Sequence, residues 1–581
     1  MTQVVAASAA PDARPVEAGR NGMGAAMDRW TVVLAALSAG LVGLGWSLGW
    51  RGVDLPAQLF RIDEFRAHGF SLWDSQWYAG HWSLDYSVIY PALGAVVGVA
   101  LLAMLSAALA TAAFDRILLA AFGPAGRIGS VIFALSVIVE TSIGQLAFFT
   151  GIAFALASVW ALLGSRRRAR RLGVLLAGVL ALAATAASPL AGAFLALAMA
   201  AWFLAVVVPG GPRSTATRAG AGAEGWRIAS TGILALLPIA VTTLLFPGQG
   251  PMPYPVTDWL WETVVALLVW MVVPRGMRTL RIGIALYLVV LLGSVTVPSA
   301  LGGNVGRMED AFALPVVAAC CWTRRDAGGT AWPLGRWLAD RVRPDAVTRG
   351  FRVALAGLAV PLVLSQWGPA WQALTANAGR SWTHRGYYAP LTAWLAGQLG
   401  DPPVARVEVV PTLDHGEAAY VAPSVPLARG WDRQLDEADN PLFYGKAPLT
   451  PQTYVAWLRA DGVRYVALAG APLDSAGVAE ARLLDAGVPG LRPAWRDAGW
   501  RVWEVIGGPG VVSGPARLTG ISQGSVGLNA TAPGHALVRV RWAAHWRVVG
   551  GEAQVAEAPG GWTTVNLGRP GPVSLRATLR F

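Results

Sequence analysis

Between residues 61 and 91 the chain reads RIDEFRAHGFSLWDSQWYAGHWSLDYSVIYP. Within this stretch lie Asp63, Glu64, Asp74 and Asp85, the histidines His68 and His81, and the aromatics Trp73, Trp77, Tyr78, Trp82, Tyr86 and Tyr90. Carboxylates serve as general bases or hold a cation, and aromatic faces suit sugar rings or isoprenoid chains. An interfacial belt also gathers Trp and Tyr. A belt does not need this many acids.

A second stretch, Ser299-Ala-Leu-Gly-Gly-Asn-Val-Gly-Arg-Met-Glu-Asp-Ala311, sets Asn304 and Arg307 among Gly302, Gly303 and Gly306. Glycine lets the backbone approach a ligand, and arginine suits a phosphate. The competing reading is an Arg307 paired with Glu309 or Asp310. The chain holds no H-E-x-x-H, C-x-x-C or P-loop pattern. Cys320 and Cys321 are adjacent in an apolar run and read as small buried hydrophobes.

The elements that position these residues follow from hydropathy. The chain has 581 residues, 54% hydrophobic and only 14% charged, which excludes an ordinary soluble protein. Apolar segments fall near 30–50, 87–113, 128–143, 145–164, 172–187, 189–208, 228–246, 259–274, 281–298, 311–323 and 351–368. That makes about eleven spans of roughly 20 residues or fewer. The net charge of +12 does not imply nucleic acid. Its arginines crowd alternate loops: Arg14, Arg20 and Arg29; Arg116 and Arg127; 166–171; Arg213, Arg218 and Arg227; Arg275, Arg278 and Arg281; and 324–352. The opposite loops carry Arg51, Arg61, Arg66 and Arg307. By the positive-inside rule the N-terminus is cytoplasmic and the acidic loop faces outward. An odd span count places the C-terminal region outside too.

The expected fold class is therefore a polytopic α-helical membrane protein with an extracytoplasmic α/β plus all-β C-terminal region. The expected domains are a disordered cytoplasmic segment at 1–28, a membrane domain at 29–370 with a large first outer loop at 51–87, an α/β domain at 371–508 and a β-rich domain at 509–581. Residues 405–410, 464–468 and 500–506 read as strands, and 451–462 and 474–487 as helices. The irregular segment 427–445 reads as a loop laid over the membrane site.

This layout resembles the GT-C superfamily of integral-membrane glycosyltransferases. Asp63-Glu64, just past the first span, is similar to the Asp-Glu pair of protein O-mannosyltransferases and aminoarabinose transferases, though Phe65-Arg66-Ala67-His68 follows instead of a tyrosine. Trp73-Asp74, Trp77 to His81 and Tyr86 to Pro91 resemble the loop of uncharacterised actinobacterial membrane proteins of this plan. Gly144-Gln145, Ser188-Pro189, Gly303 to Arg307 and Leu427 to Trp431 resemble the same group. The second outer turn departs from the pattern in offering essentially Glu140 alone.

The resemblance implies transfer of a sugar from a polyprenyl-phosphate donor to an envelope glycan or lipid acceptor at the plasma membrane. Arg307, with Arg61 or Arg66, would hold the phosphate. Asp63 or Asp74 would be the base, with Glu64 beside it. Trp73, Trp77, Tyr78 and His81 would contact sugars, and Asp85, Tyr86, Glu140, Asn304, Arg429 and Trp431 complete the expected binding set. The resemblance fixes no cofactor; a divalent cation held by a neighbouring acid is an alternative way to offset the phosphate charge. Two alternatives remain at this point: a transporter or flippase for envelope lipids or glycans, and a non-catalytic envelope scaffold.

Overall fold

The computed structural model describes residues 27–578 except 85, 165–169, 209–217, 247–249, 327–356, 358, 359, 361, 365, 369, 372, 373 and 446. Asp85, nearly all of the N-terminal segment expected to be disordered, and most of the last expected span lie outside the described residues.

In a bilayer each backbone N–H must be satisfied within its own segment, so apolar runs become helices. The membrane domain contains α1 (Arg29–Ser47), α2 (Leu55–His68), α3 (Tyr90–Val97), α4 (Val99–Phe122), α5 (Arg127–Ile143), α6 (Leu146–Gly164), α7 (Arg170–Ala187), α8 (Pro189–Val207), α9 (Arg218–Leu245), α10 (Val256–Val272), α11 (Arg278–Thr296) and α12 (Arg307–Asp326). Ten of the expected apolar segments thus hold a helix. Among the described residues, six stretches are long and apolar enough to cross a membrane, one of them (Val99–Ile143) containing both α4 and α5. The chain is a multi-pass membrane protein. Its exposed aliphatic side chains, such as Leu175, Leu236, Leu244, Val264 and Val289, line the outer surfaces of α7, α9, α10 and α11.

Small residues let these helices pack closely, and short hydroxyls bridge them. Ser106 and Thr150 hydrogen-bond at 3.0 Å. Ser158 donates to the Ala177 carbonyl at 2.8 Å and Thr185 to that of Ala235 at 2.6 Å. At the Arg-rich end, Asp28 caps α1 through the Thr31 N–H and contacts Arg127 and Arg116.

One expected span divides differently. The run near 87–113 breaks at Gly98, whose φ of 88° ends α3 before α4 begins. The first outer loop therefore runs from Leu48 to Gly98 and carries α2, a small hairpin and α3.

That hairpin joins β1 (Trp73–Asp74) to β2 (His81–Trp82), with Trp73 opposite Trp82 and Asp74 opposite His81. Beyond the membrane domain, β3 (Arg406–Val409), β4 (Val463–Ala469), β5 (Leu491–Arg496) and β6 (Trp500–Val505) form a sheet of order β3-β4-β6-β5. Only its β3–β4 pair is parallel. The expected strands and helices of this region fall close to their predicted places, and β5 is an addition. The C-terminus is two four-stranded antiparallel sheets, β12-β13-β10-β7 and β11-β14-β9-β8, built from β7 (Val512–Ser513), β8 (Ala516–Ser522), β9 (Ser525–Ala530), β10 (Gly534–Arg541), β11 (Trp546–Gly550), β12 (Ala553–Ala558), β13 (Trp562–Leu567) and β14 (Gly571–Ala577).

The first outer loop is wedged into both soluble units. Ala57, Phe60, Trp77 and Tyr78 belong to the α/β core with Tyr388, Leu391, Val407 and Val421. Trp73 belongs to the sandwich core with Val526, Val538 and Trp546. Backbone bonds tie the pieces: Ser75 N to Gln523 O at 2.8 Å, Leu427 N to Gln76 O at 2.7 Å and Arg541 N to Ala79 O at 2.9 Å.

Candidate functional site

One charge pair joins the loop before α2 to the start of α12: Asp54 with Arg307. Asp54 occupies the N-cap position of α2, with Pro56 in the first turn, yet its carboxylate makes no capping bond. It faces Arg307 Nη2 at 3.7 Å instead. Two glycines bring the loop to that point. A Cβ on Gly52 would meet the Ile143 carbonyl, and one on Gly144 would meet the Leu55 nitrogen at 2.3 Å. The close approach lets Asp54 N donate to the Ile143 carbonyl at 3.1 Å, and sets the carboxylate beside Gln145. Glu140, buried in the last turn of α5, lies within electrostatic reach of Asp54, Arg307 and Asp310.

Arg307 begins α12 directly after the glycine turn 302–306, and its guanidinium lies 5.6 Å from the centre of the Phe148 ring. A Cβ on Gly306 would stand 2.1 Å from Glu262 Oε1, so the Glu262 carboxylate would have to shift to admit one. Asn304 is half-buried on the same turn.

A second cation approaches from the α/β domain. His415 has φ of 53°, in the left-handed region that a non-glycine residue seldom occupies. Its ring lies 3.3 Å from Glu417 and 3.8 Å from Asp474, and Arg433 holds Asp474 at 2.8 Å. Burial alone would favour the neutral ring, but Asp474 and Glu417 overrule it and raise His415 to about 10. Burial pushes the Asp54 carboxyl up; Arg307, then His415 and Gln145, pull it back. Asp54 is thus a buried carboxylate held against two cations, an arrangement suited to accepting a proton next to an anion.

One α2 turn further on, Gln58 donates to the Tyr86 hydroxyl at 2.8 Å. Arg61 then stacks over Tyr86 at 4.1 Å, with Trp77 and Trp431 at 5.6 and 5.9 Å. Trp431 donates its indole N–H to the Val53 carbonyl at 2.8 Å, and Tyr78 donates to that of Asp432 at 2.8 Å. The segment 427–445 therefore does lie over the first outer loop.

On its other side α2 borders a small open cavity of about 40 Å³, lined among others by Phe60, Arg61, Glu64, Asp74, His81 and Gln523. Burial, with the like charges of Asp74 and Asp63, pushes Glu64 up to about 8. Burial also raises Asp74, to about 7, against the Gln76 N–H and Arg61. Burial and Arg61 hold His81 at about 3, so its ring is neutral.

The expected site residues thus separate into groups. Arg307, Glu140 and Tyr86 gather around Asp54, with Trp431 covering Tyr86. Glu64, Asp74 and His81 share the pocket. Asp63 lies outside both, on the outer surface of α2, paired with Arg66 at 3.1 Å and Arg385 at 3.0 Å. Trp73, Trp77 and Tyr78 are 3%, 0% and 1% exposed, which leaves no ring face open to a sugar; they anchor the loop. Arg429 is buried in the α/β core, bound to Glu408 at 2.8 Å and to Glu480, with Phe443 against it at 3.8 Å. It braces β3 (Arg406–Val409) and takes no part in either cluster.

Asp54, Gln58 and His415 escaped the sequence reading, and Gln145 entered it only as part of Gly144-Gln145. Asp54 carried a signal, being the first acid after the first span. Its position before Leu55-Pro56 also fits an ordinary helix start. His415 carried none, since its meeting with Asp54 is tertiary.

Among the described residues no three His, Cys, Asp or Glu side chains converge to hold a metal ion. The acids around Asp54 face Arg307, so the donor set does not fit a divalent cation, and no step is routed through one.

No family model matches this chain, and no curated protein matches it by sequence. Solved structures do. The Archaeoglobus fulgidus oligosaccharyltransferase, in its apo form, is 14% identical over 76% of this chain and 69% of that one, with a TM-score of 0.42. ArnT from Cupriavidus metallidurans is 14% identical in its apo state, over 82% of this chain and 98% of its own, with a TM-score of 0.44. The same protein bound to undecaprenyl phosphate is 15% identical over 83% and 99%, also with a TM-score of 0.44. To these enzymes the chain is similar in overall plan.

Proposed function

We propose that this protein is a membrane glycosyltransferase that moves a sugar from a polyprenyl-phosphate donor to an envelope glycan or lipid acceptor on the outer face. The observation that carries the reading is the Asp54–Arg307 pair, a base and a phosphate ligand 3.7 Å apart at the level where α12 meets the first outer loop. The loop's resemblance to GT-C enzymes supports the same reaction class.

In this mechanism the donor's isoprenoid chain lies between helices and its phosphate reaches Arg307, with Arg61 nearby. The acceptor oxygen attacks the anomeric carbon, and its proton goes to Asp54. The pair of electrons in the carbon–phosphate-oxygen bond leaves with the phosphate, whose charge Arg307 receives. Because Arg307 turns to the phosphate, Asp54 loses a countercharge and becomes a stronger base when donor is present. His415 remains as a positive charge that partly offsets the burial of Asp54.

The positive-inside pattern supports a cytoplasmic N-terminus and an extracytoplasmic C-terminal region. Cysteine-accessibility labelling in intact cells tests that topology, and labelling of the C-terminal region from the cytoplasmic side would reverse it. Transfer of radiolabelled sugar from polyprenyl-phosphate donors into membrane acceptors tests the reaction. Absence of transfer with every donor tried, in membranes where the protein is folded, would defeat it.

A further inference from the structure

Asp54 and Arg307 are close without touching. Arg307 Nη2 stands 3.7 Å from Asp54 Oδ2, beyond hydrogen-bond range, and that oxygen is buried with no hydrogen-bond partner within the protein. Buried opposite charges attract strongly, and a guanidinium closes readily on a carboxylate through two parallel hydrogen bonds. The backbone on each side is therefore held where that closure is not reached.

One segment of the outer region touches both sides. Trp431 donates its indole N–H to the carbonyl of Val53, the residue before Asp54, at 2.8 Å. Three residues on, the Gln434 side chain donates to the carbonyl of Ala300 at 3.0 Å, where the turn leading to Arg307 begins. The loop before α10 packs against the same place: Gly250 has φ of 71°, and a Cβ on it would stand 2.8 Å from the Gln434 carbonyl.

The segment is anchored from outside the membrane domain. Asp432 accepts from the Gln434 N–H at 3.2 Å and starts a short helix, Arg433–Asp439. Arg433 donates to both oxygens of Asp474, at 3.0 and 2.8 Å. Trp457 donates to Asn440 Oδ1 at 2.9 Å, just past the helix, and Asp439 faces Arg541 of the sandwich at 3.5 Å. Both soluble units thus fix the segment whose side chains reach Val53 and Ala300.

We infer that residues 431–440 are a spacer for the Asp54–Arg307 pair, and that Trp431 and Gln434 are positioning residues that keep the two charges out of direct contact. The roles of the pair as base and phosphate ligand rest on the transferase reading; the spacing itself does not. A closed pair would occupy the guanidinium that the phosphate needs. It would also stabilise the ionised carboxylate and make Asp54 a weaker base. The groups that face Asp54 are Arg307 from α12, His415 from the α/β domain, Glu140 from α5 and Tyr86 from the loop before α3.

Two substitutions remove the contacts and little else. Trp431→Phe keeps a ring against Tyr86 and loses the N–H; Gln434→Met keeps the length and loses the amide. Full-length wild type, both single variants and the double variant are compared in nanodiscs by hydrogen–deuterium exchange and by transfer kinetics across pH. Exchange is expected to quicken within 50–58 for Trp431→Phe, within 299–308 for Gln434→Met and within both for the double variant, with little change in melting temperature. In the double variant kcat falls by about 10–100-fold. The acidic limb of its rate profile moves to lower pH by roughly half a unit to one unit, because a closer guanidinium lets Asp54 ionise earlier. Loss through misfolding would lower the amplitude and leave the limb in place. Unchanged exchange in both segments, or a fall in kcat with the limb unmoved, overturns the proposal. If wild type transfers nothing from any donor, the transferase reading fails, and the exchange comparison alone upholds or overturns the spacer.

Discussion

The carboxylate of Asp54 and the guanidinium of Arg307 stand 3.7 Å apart, joining the first turn of α2 to the first turn of α12. Asp54 approaches through backbone contacts at Gly52 and Gly144 that admit no side chain, and Arg307 follows Gly306, which packs against the Glu262 carboxylate. Asp54 is buried and Arg307 largely so, which leaves each charge dependent on the other. Its placement where α12 meets the loop before α2 is what the proposed mechanism uses.

Replacing Arg307 separates binding from structure. Arg307→Ala lowers transfer by about 10²–10³-fold, the usual loss on removing one donor to a developing anion. Arg307→Lys recovers part of it as a point charge without the planar fork. Steady-state transfer in membranes at matched expression checks this; equal activity in wild type and Arg307→Ala would remove Arg307 from the phosphate site.

Glu64 and Asp74 make stability depend on pH. Both carboxyls are raised in the folded protein, to about 8 and about 7. The folded state therefore keeps protons that the unfolded chain releases, and stability falls as pH rises from the ordinary carboxylate range to about 8, then levels off. Glu64→Gln flattens that slope and melts higher than wild type at pH 8.5, by roughly 2–4 °C for each kcal/mol recovered. Thermal melts of purified protein between pH 5 and 9 measure it; parallel curves for the two proteins would contradict these assignments.

Trp77 is a structural anchor. It stacks on Phe60 at 4.3 Å and on His81 at 5.8 Å, and Gly430 packs against its ring. Trp77→Ala costs about 3–5 kcal/mol through the cavity it leaves. Limited proteolysis of the outer region reads the effect as earlier cleavage in the loop around residues 69–84. A variant as resistant as wild type would show that the loop is held elsewhere.

Much of the plan was legible in the sequence. Hydropathy placed ten helices because a bilayer leaves the backbone no alternative. Arginine asymmetry picked the face where Asp54, Glu140 and Arg307 meet. The sandwich showed in its alternating strands. The site itself was legible in part. Arg307 stood out because it was isolated among glycines. The acids of 63–74 stood out because they were dense, yet density did not report burial: Asp63 is solvated while Glu64, its neighbour, is enclosed. Asp54 also fits an ordinary helix start. The aromatic residues 73–78 looked like ligands for a sugar and are cores of two soluble units, a distinction only tertiary packing makes.

The most direct measurement compares sugar transfer from polyprenyl-phosphate donors by wild type, Asp54→Asn and Asp63→Asn at equal expression and equal melting temperature. Loss of about 10²–10⁴-fold in Asp54→Asn, the range for a general base, with Asp63→Asn within about twofold of wild type, is the predicted result. Full activity in Asp54→Asn, or loss in Asp63→Asn alone, would contradict the assignment of Asp54 as the base.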